Sequence, residues 1–112
     1  LMKNFKVLWA KSAQDDLEQI IEYIKIDNID TAKNVFLALK SECNELHCFP
    51  EKFRVVPELQ HINIHQFREI IYKRWRVVYK ITGANVHVLF VVDSSRNVED
   101  LLLQRLLNKP NS

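Results

Sequence analysis

The sequence predicts an α+β fold: a first strand, an antiparallel helical hairpin packed on an antiparallel sheet of four or five strands, and a short C-terminal helix. Three observations carry this. Apolar residues recur at helical spacing between residues 12 and 46. After Pro50 the spacing changes to two. The only glycine of the chain, Gly83, sits in "TGAN" between two strand-like runs. The 112 residues suit one domain, and 47% apolar content with one Gly and three Pro describes a globular chain.

Each element follows from its own pattern. "FKVLW" (5–9) reads as a short strand. In "SAQDDLEQIIEYIKI" the apolar positions Ala13, Leu17, Ile20, Ile21 and Ile24 form one helical stripe, with Ser12 and Asp15 spaced as a capping box. "DNID" breaks the stripe. A second helix starts at Asp30 or Thr31, carries Ala32, Val35, Phe36, Leu39, Cys43 and Leu46 inward, and is ended by Pro50. The short break implies an antiparallel pair. Strands are then predicted in "FRVVPEL" (53–59), "HQFREIIY" (65–72), "WRVVYKI" (75–81) and "NVHVLFVVD" (85–93), pairing as a meander. "SSRNVEDLLLQRLLN" (94–108) is the last helix, capped by Asn97. Along 75–81, Trp75, Val77, Tyr79 and Ile81 face the hairpin; Arg74, Arg76, Val78 and Lys80 face away, onto a sheet side expected to be open and basic.

Charge is unevenly distributed. Residues 1–51 carry six Lys against nine Asp or Glu, residues 52–80 carry seven Lys or Arg against two Glu, and residues 81–112 carry three of each sign. The cationic excess therefore sits in one central block, and "REIIYKRWRVVYKI" (68–81) alone holds five of its cations. The block admits two readings. In one, Arg54, Arg68, Arg74, Arg76 and Arg96 meet phosphates or an acidic partner, with Tyr72 or Trp75 near a base. In the other, the same arginines pair within the chain with Glu58, Glu69 and Asp93, as cross-strand charges ordinarily do.

Other chemistry is thinly represented. His61 and His65 are four apart and suited to proton transfer, but no third ligand lies nearby for a metal. One glycine cannot build a phosphate-cradling loop, so no cofactor and no metal are expected. Asp15, Asp16, Glu99 and Asp100 are accounted for by helix starts. Cys43 falls on the apolar stripe, and with Cys48 makes a pair of reduced thiols, neither a disulfide framework nor a zinc site. "VHVLFVV" is too short to cross a bilayer and the N-terminus lacks a long apolar run, so neither a membrane span nor a secretory signal is expected.

The stretches "SAQDDLEQIIEYI", "TAKNVFLALKSECNEL", "FPEKFRVVPEL", "FREIIYKRWRVVYKI" and "VHVLFVVDSSRNVEDLL" occur in an order and at a spacing that resemble the RelE/ParE superfamily of bacterial toxins from type II toxin–antitoxin modules. The resemblance covers nearly the whole chain. It implies a cytoplasmic toxin of an addiction (plasmid-stabilising) module, held inactive by a cognate antitoxin, with room for a homodimer. The RelE-like branch cleaves mRNA on the ribosome. Against it, Arg76 matches the strand arginine, but Phe67 and Glu69 stand where paired lysines would, no Tyr follows Tyr79 and no His follows His87. If this branch applied, Arg76, Arg96, Tyr72, His61 and His65 would be the catalytic suspects. "VPEL", "REI" and "VVDSSRNVEDLL" are more similar to the ParE-like branch. That likeness implies inhibition of DNA gyrase by binding, through the basic face and the C-terminal helix. A member that only binds an antitoxin is a third expectation.

Overall fold

The structure is a computed structural model that describes residues 4–107, with side chains through Arg105. Strand β1 (Lys6–Trp9) leads into helices α1 (Lys11–Asp27) and α2 (Ile29–Asn44). Two 3₁₀ turns, Glu45–His47 and Pro50–Lys52, and a short helix α3 (Pro57–Gln60) follow. The meander β2 (Phe67–Tyr72), β3 (Trp75–Thr82) and β4 (Asn85–Asp93) precedes α4 (Val98–Leu107). The expected last residue of that helix, Asn108, lies outside the described residues.

The sheet has four strands in the order β1-β4-β3-β2. The meander is antiparallel, but β1 joins it parallel to β4, so the sheet is mixed. Gly83 takes φ +60 in the two-residue turn that joins β3 to β4, a conformation that favours glycine. The expected strand over 53–59 does not form. Only Val55 bridges, to Arg68, because Pro57 removes a donor and starts α3 with its fixed φ.

Two of the three expected helices start differently from expectation. α2 starts at Ile29 rather than at Asp30 or Thr31, and Asn28 caps it by accepting from the Thr31 amide at 3.0 Å, so one residue separates the helices. Ser12 does not cap α1; the helix starts after Ala10, and the Ser12 hydroxyl donates to the Leu89 carbonyl at 2.8 Å. α4 is capped as expected, with Asn97 Oδ1 accepting the Asp100 amide at 3.1 Å.

Two cores lie on opposite faces of the sheet. Ala13, Leu17, Val35, Leu39 and Leu46 of the hairpin side bury Trp75, Val77 and Tyr79. Tyr79 is fully buried, its hydroxyl donating to the Pro50 carbonyl, and burial raises its pKa. On the other face Val56, Leu59, Val98 and Leu102 cover Phe67, Val78, Phe90 and Val92. That side is therefore not open, contrary to the sequence expectation. α4 carries its own apolar stripe, and the second sheet face is where it buries it.

Candidate functional site

The arginines gather in two clusters, and Arg68 stands apart from both. The first spans α3, β2 and β3. Ile71 pairs with Arg76 and Glu69 with Val78, so Glu69 and Arg76 are diagonal neighbours on one sheet face. Arg76 Nε donates to Glu69 Oε1 at 2.7 Å, while its two terminal nitrogens clasp both oxygens of Glu58 at 2.7 Å each. Arg54 Nε donates to the other Glu69 oxygen at 2.7 Å. Glu69 is 1% exposed and Arg76 6%. Buried charges persist only when paired and hydrogen-bonded, and here each Glu69 oxygen accepts from one guanidinium. Arg76, through its side-chain bonds, holds the Glu58 carboxyl below its ordinary pKa; Glu58 in turn raises that of Arg76.

Arg68 is on the opposite face. It pairs in register with Tyr79, on the hairpin side, and its Nη1 donates to the Phe53 carbonyl at 2.6 Å and the Glu51 carbonyl at 3.2 Å. It fixes the 51–53 turn.

The second cluster surrounds a groove of about 760 Å³ where α1, the ends of β3 and β4, and α4 meet. Arg74, Arg96 and Arg105 line it beside Asp16, Asp27 and Asp93, with Ile20, Tyr23 and Leu101 as apolar wall. Arg105 makes a two-pronged bond to Asp16, both contacts 2.8 Å, and lies 4.7 Å over the Phe90 ring. Asp16 Oδ2 also accepts the Val91 amide at 3.0 Å. Ser12 and Asp16, one helical turn apart, thus satisfy the β4 edge beyond the end of β1. At the rim Arg74 Nε donates to Asp93 Oδ2 at 2.9 Å. Bonds from the Ser95 amide and hydroxyl, then from Arg74, hold the Asp93 carboxyl below its ordinary pKa. Arg96 is exposed and forms no ion pair among the described residues. Around the groove mouth the hairpin tip exposes Tyr23 at 75%, Ile26 at 81% and Ile29 at 65%.

Of the sequence candidates, Arg74 and Arg96 come together at this groove. Arg54 and Arg76 meet at the first cluster. His61 and His65 lie in the exposed segment after α3, where His65 Nε2 bonds locally to Asn63 at 2.9 Å. Tyr72 is half-buried with the Lys73 ammonium 5.6 Å from its ring centre. Asp16 and Arg105 were missed as partners. Asp16 is in the second turn of α1, so the helix start does not account for it. Its position three residues after Ala13 and four before Ile20, on the inward stripe, was the available signal. Among the described residues no group of three His, Cys, Asp or Glu could hold a metal, and no helix is long and apolar enough to cross a membrane.

Comparison with known proteins places this architecture. The model of the family described as "ParE toxin of type II toxin-antitoxin system, parDE" matches residues 7–98, from β1 to the first residue of α4. The chain belongs to the ParE toxin family. A solved structure titled "Chromosomal ParDE TA system from P. aeruginosa" shares the fold, with TM-score 0.67 and 13% identity over 81% of this chain and 97% of the other. No curated protein matches significantly. Family membership implies an antitoxin as partner.

Proposed function

We propose that this ParE-family chain is a cytoplasmic toxin that inhibits DNA gyrase by binding it, without chemistry of its own, and that its contact surface is the groove bearing Arg74 and Arg96. The observation that carries this reading is how the arginines are spent. Arg76, the one match to the strand arginine of mRNA-cleaving relatives, has all three of its guanidinium nitrogens bonded to Glu58 and Glu69. A phosphorane would have to displace two carboxylates from it. Cleavage of RNA also needs a base and an acid at the reacting bond, and the side-chain hydrogen bond of His65 runs locally to Asn63 rather than to Arg76.

The groove has a different character. Three arginines face three aspartates there, with apolar wall between. Such balanced, amphipathic lining suits a protein surface better than a nucleic-acid backbone, which rewards net positive charge. Tyr23 and Arg96 are of the residue types that anchor protein interfaces. The antitoxin competes for the same groove or for the exposed hairpin tip, with an acidic segment laid as strand or helix.

Pulse-labelling of DNA and protein synthesis in the minutes after induced expression tests the target. A prompt fall in DNA synthesis with translation intact is expected. A prompt fall in translation, with mRNA cleaved at the ribosome, would replace this reading with that of an endonuclease.

A further inference from the structure

A thiol–imidazole pair stands apart from both arginine clusters, at the turn between α2 and β2. Cys48 Sγ is 3.1 Å from His47 Nε2, and His47 Nδ1 is 2.6 Å from the Asn44 carbonyl oxygen. A carbonyl only accepts, so Nδ1 carries the ring proton. Nε2 of the neutral ring is then the acceptor, and the Cys48 S–H donates to it. The carbonyl thus orients the imidazole and the imidazole faces the thiol, which is the arrangement of a nucleophile beside an oriented base. The turn is held in place. The His47 carbonyl accepts the Phe5 amide at 2.9 Å and the Cys48 amide donates to the Glu45 carbonyl at 3.2 Å. Cys48 is partly exposed, and its neighbour Phe49 is 56% exposed.

The other cysteine is an internal control. Cys43 is fully buried among core residues, and burial pushes its thiol up to about 12. A buried thiol without a base is inert at neutral pH.

We propose that Cys48 is a modification site: a nucleophilic thiol, with His47 as its base, that exchanges with a small-molecule disulfide. In the step, His47 Nε2 takes the thiol proton as Sγ attacks one sulfur of the disulfide. A new S–S bond joins Cys48 to that half, the original S–S bond breaks, and its electron pair leaves on the other half as a thiolate. The imidazolium returns the proton to that thiolate. One thiol is oxidised, one half of the disulfide is reduced, and nothing else is consumed. The Phe49 side of the turn would thereafter carry the adduct next to the anchor of β1. This proposal does not rest on the gyrase reading.

The experiment is incubation of the native full chain with glutathione disulfide at pH 7, followed by intact mass and peptide mapping over time. One adduct per chain is expected, on Cys48, forming about tenfold or more faster than on a short unstructured peptide carrying the same cysteine, in line with a positioned base. His47→Gln should remove that advantage, and Cys43→Ser should leave it unchanged. The wild-type rate against that of the peptide gives a test that needs no variant. Modification of Cys43 first, a Cys48 rate equal to that of the peptide, or an undiminished rate in folded His47→Gln would overturn the proposal.

Discussion

Arg76 and Arg96 stand at the two chain ends of the β3–β4 hairpin, yet one is 6% exposed between two glutamates and the other stands exposed at the rim of a groove. Around Arg76 the charges close on each other, with Glu69 buried and both its oxygens bonded to guanidinium nitrogens. Around Arg96 they stay at the surface, the Arg74–Asp93 pair leaving 64% of the Arg74 side chain exposed. The difference comes from the second core. Where α3 and α4 cover the sheet, a cation survives only by pairing. Where α4 has yet to begin, it remains available. A cationic excess counted along a sequence is therefore not the charge a partner meets.

The largest effect should come from the closed cluster. Arg76→Ala leaves Glu69 buried with one partner fewer, and breaking one side of a buried pair costs about 3–5 kcal/mol. Urea unfolding should show that loss; a loss under about 1 kcal/mol would mean that the cluster is solvated. Asp16→Ala comes next. It strips three hydrogen bonds, leaving the Val91 amide and Arg105 unmatched at a site 11% exposed. About 1–3 kcal/mol is expected from the same measurement. Arg74→Ala should be smallest, about 0–1 kcal/mol, because an exposed pair gains little over hydration. If Arg74→Ala cost as much as Arg76→Ala, the distinction between the clusters would be lost.

Acid should act on both clusters. Arg76 lowers the folded-state pKa of Glu58, and Ser95 with Arg74 that of Asp93. As pH falls below the ordinary carboxylate range, the unfolded chain takes up these protons before the folded one does. Stability contributed by the two groups is therefore full above that range and is lost as pH drops through the lowered folded values. Denaturation midpoints measured from pH 7 to pH 3 should fall, and Glu58→Gln or Asp93→Asn should flatten part of the slope.

Much of this architecture was legible because it is written in local period. The stripe from Ala13 to Ile24, the alternation of Trp75, Val77 and Tyr79, the Asn97 cap and the Gly83 turn are all short-range signals, and each corresponds to an element of the structure. Two local readings failed where signals competed. Val55 and Val56 read as strand, but Pro57 set the backbone for a helix. The second helix was expected to start at Asp30 or Thr31, but Asn28, whose side chain reaches the Thr31 amide, starts it at Ile29. The site was less legible because it is made of long-range pairs. Glu58, Glu69 and Asp93 were named as partners for the arginines, but nothing in the spacing says that Glu58 and Glu69 share Arg76, or that Arg105 reaches back to Asp16. The first depends on α3 and the second on α4 lying against the rest of the fold, and a single apolar stripe does not specify which face its helix will cover.

In the proposed reading the open groove, not the closed cluster, meets the target. Titration of the purified chain into a DNA gyrase supercoiling assay tests it most directly, with Arg74→Glu/Arg96→Glu as the altered protein and circular dichroism as the check on fold. Inhibition by the wild-type chain is expected at concentrations comparable to the enzyme, with its loss in a folded double variant. Equal inhibition by both proteins, or none by the wild type, would contradict it.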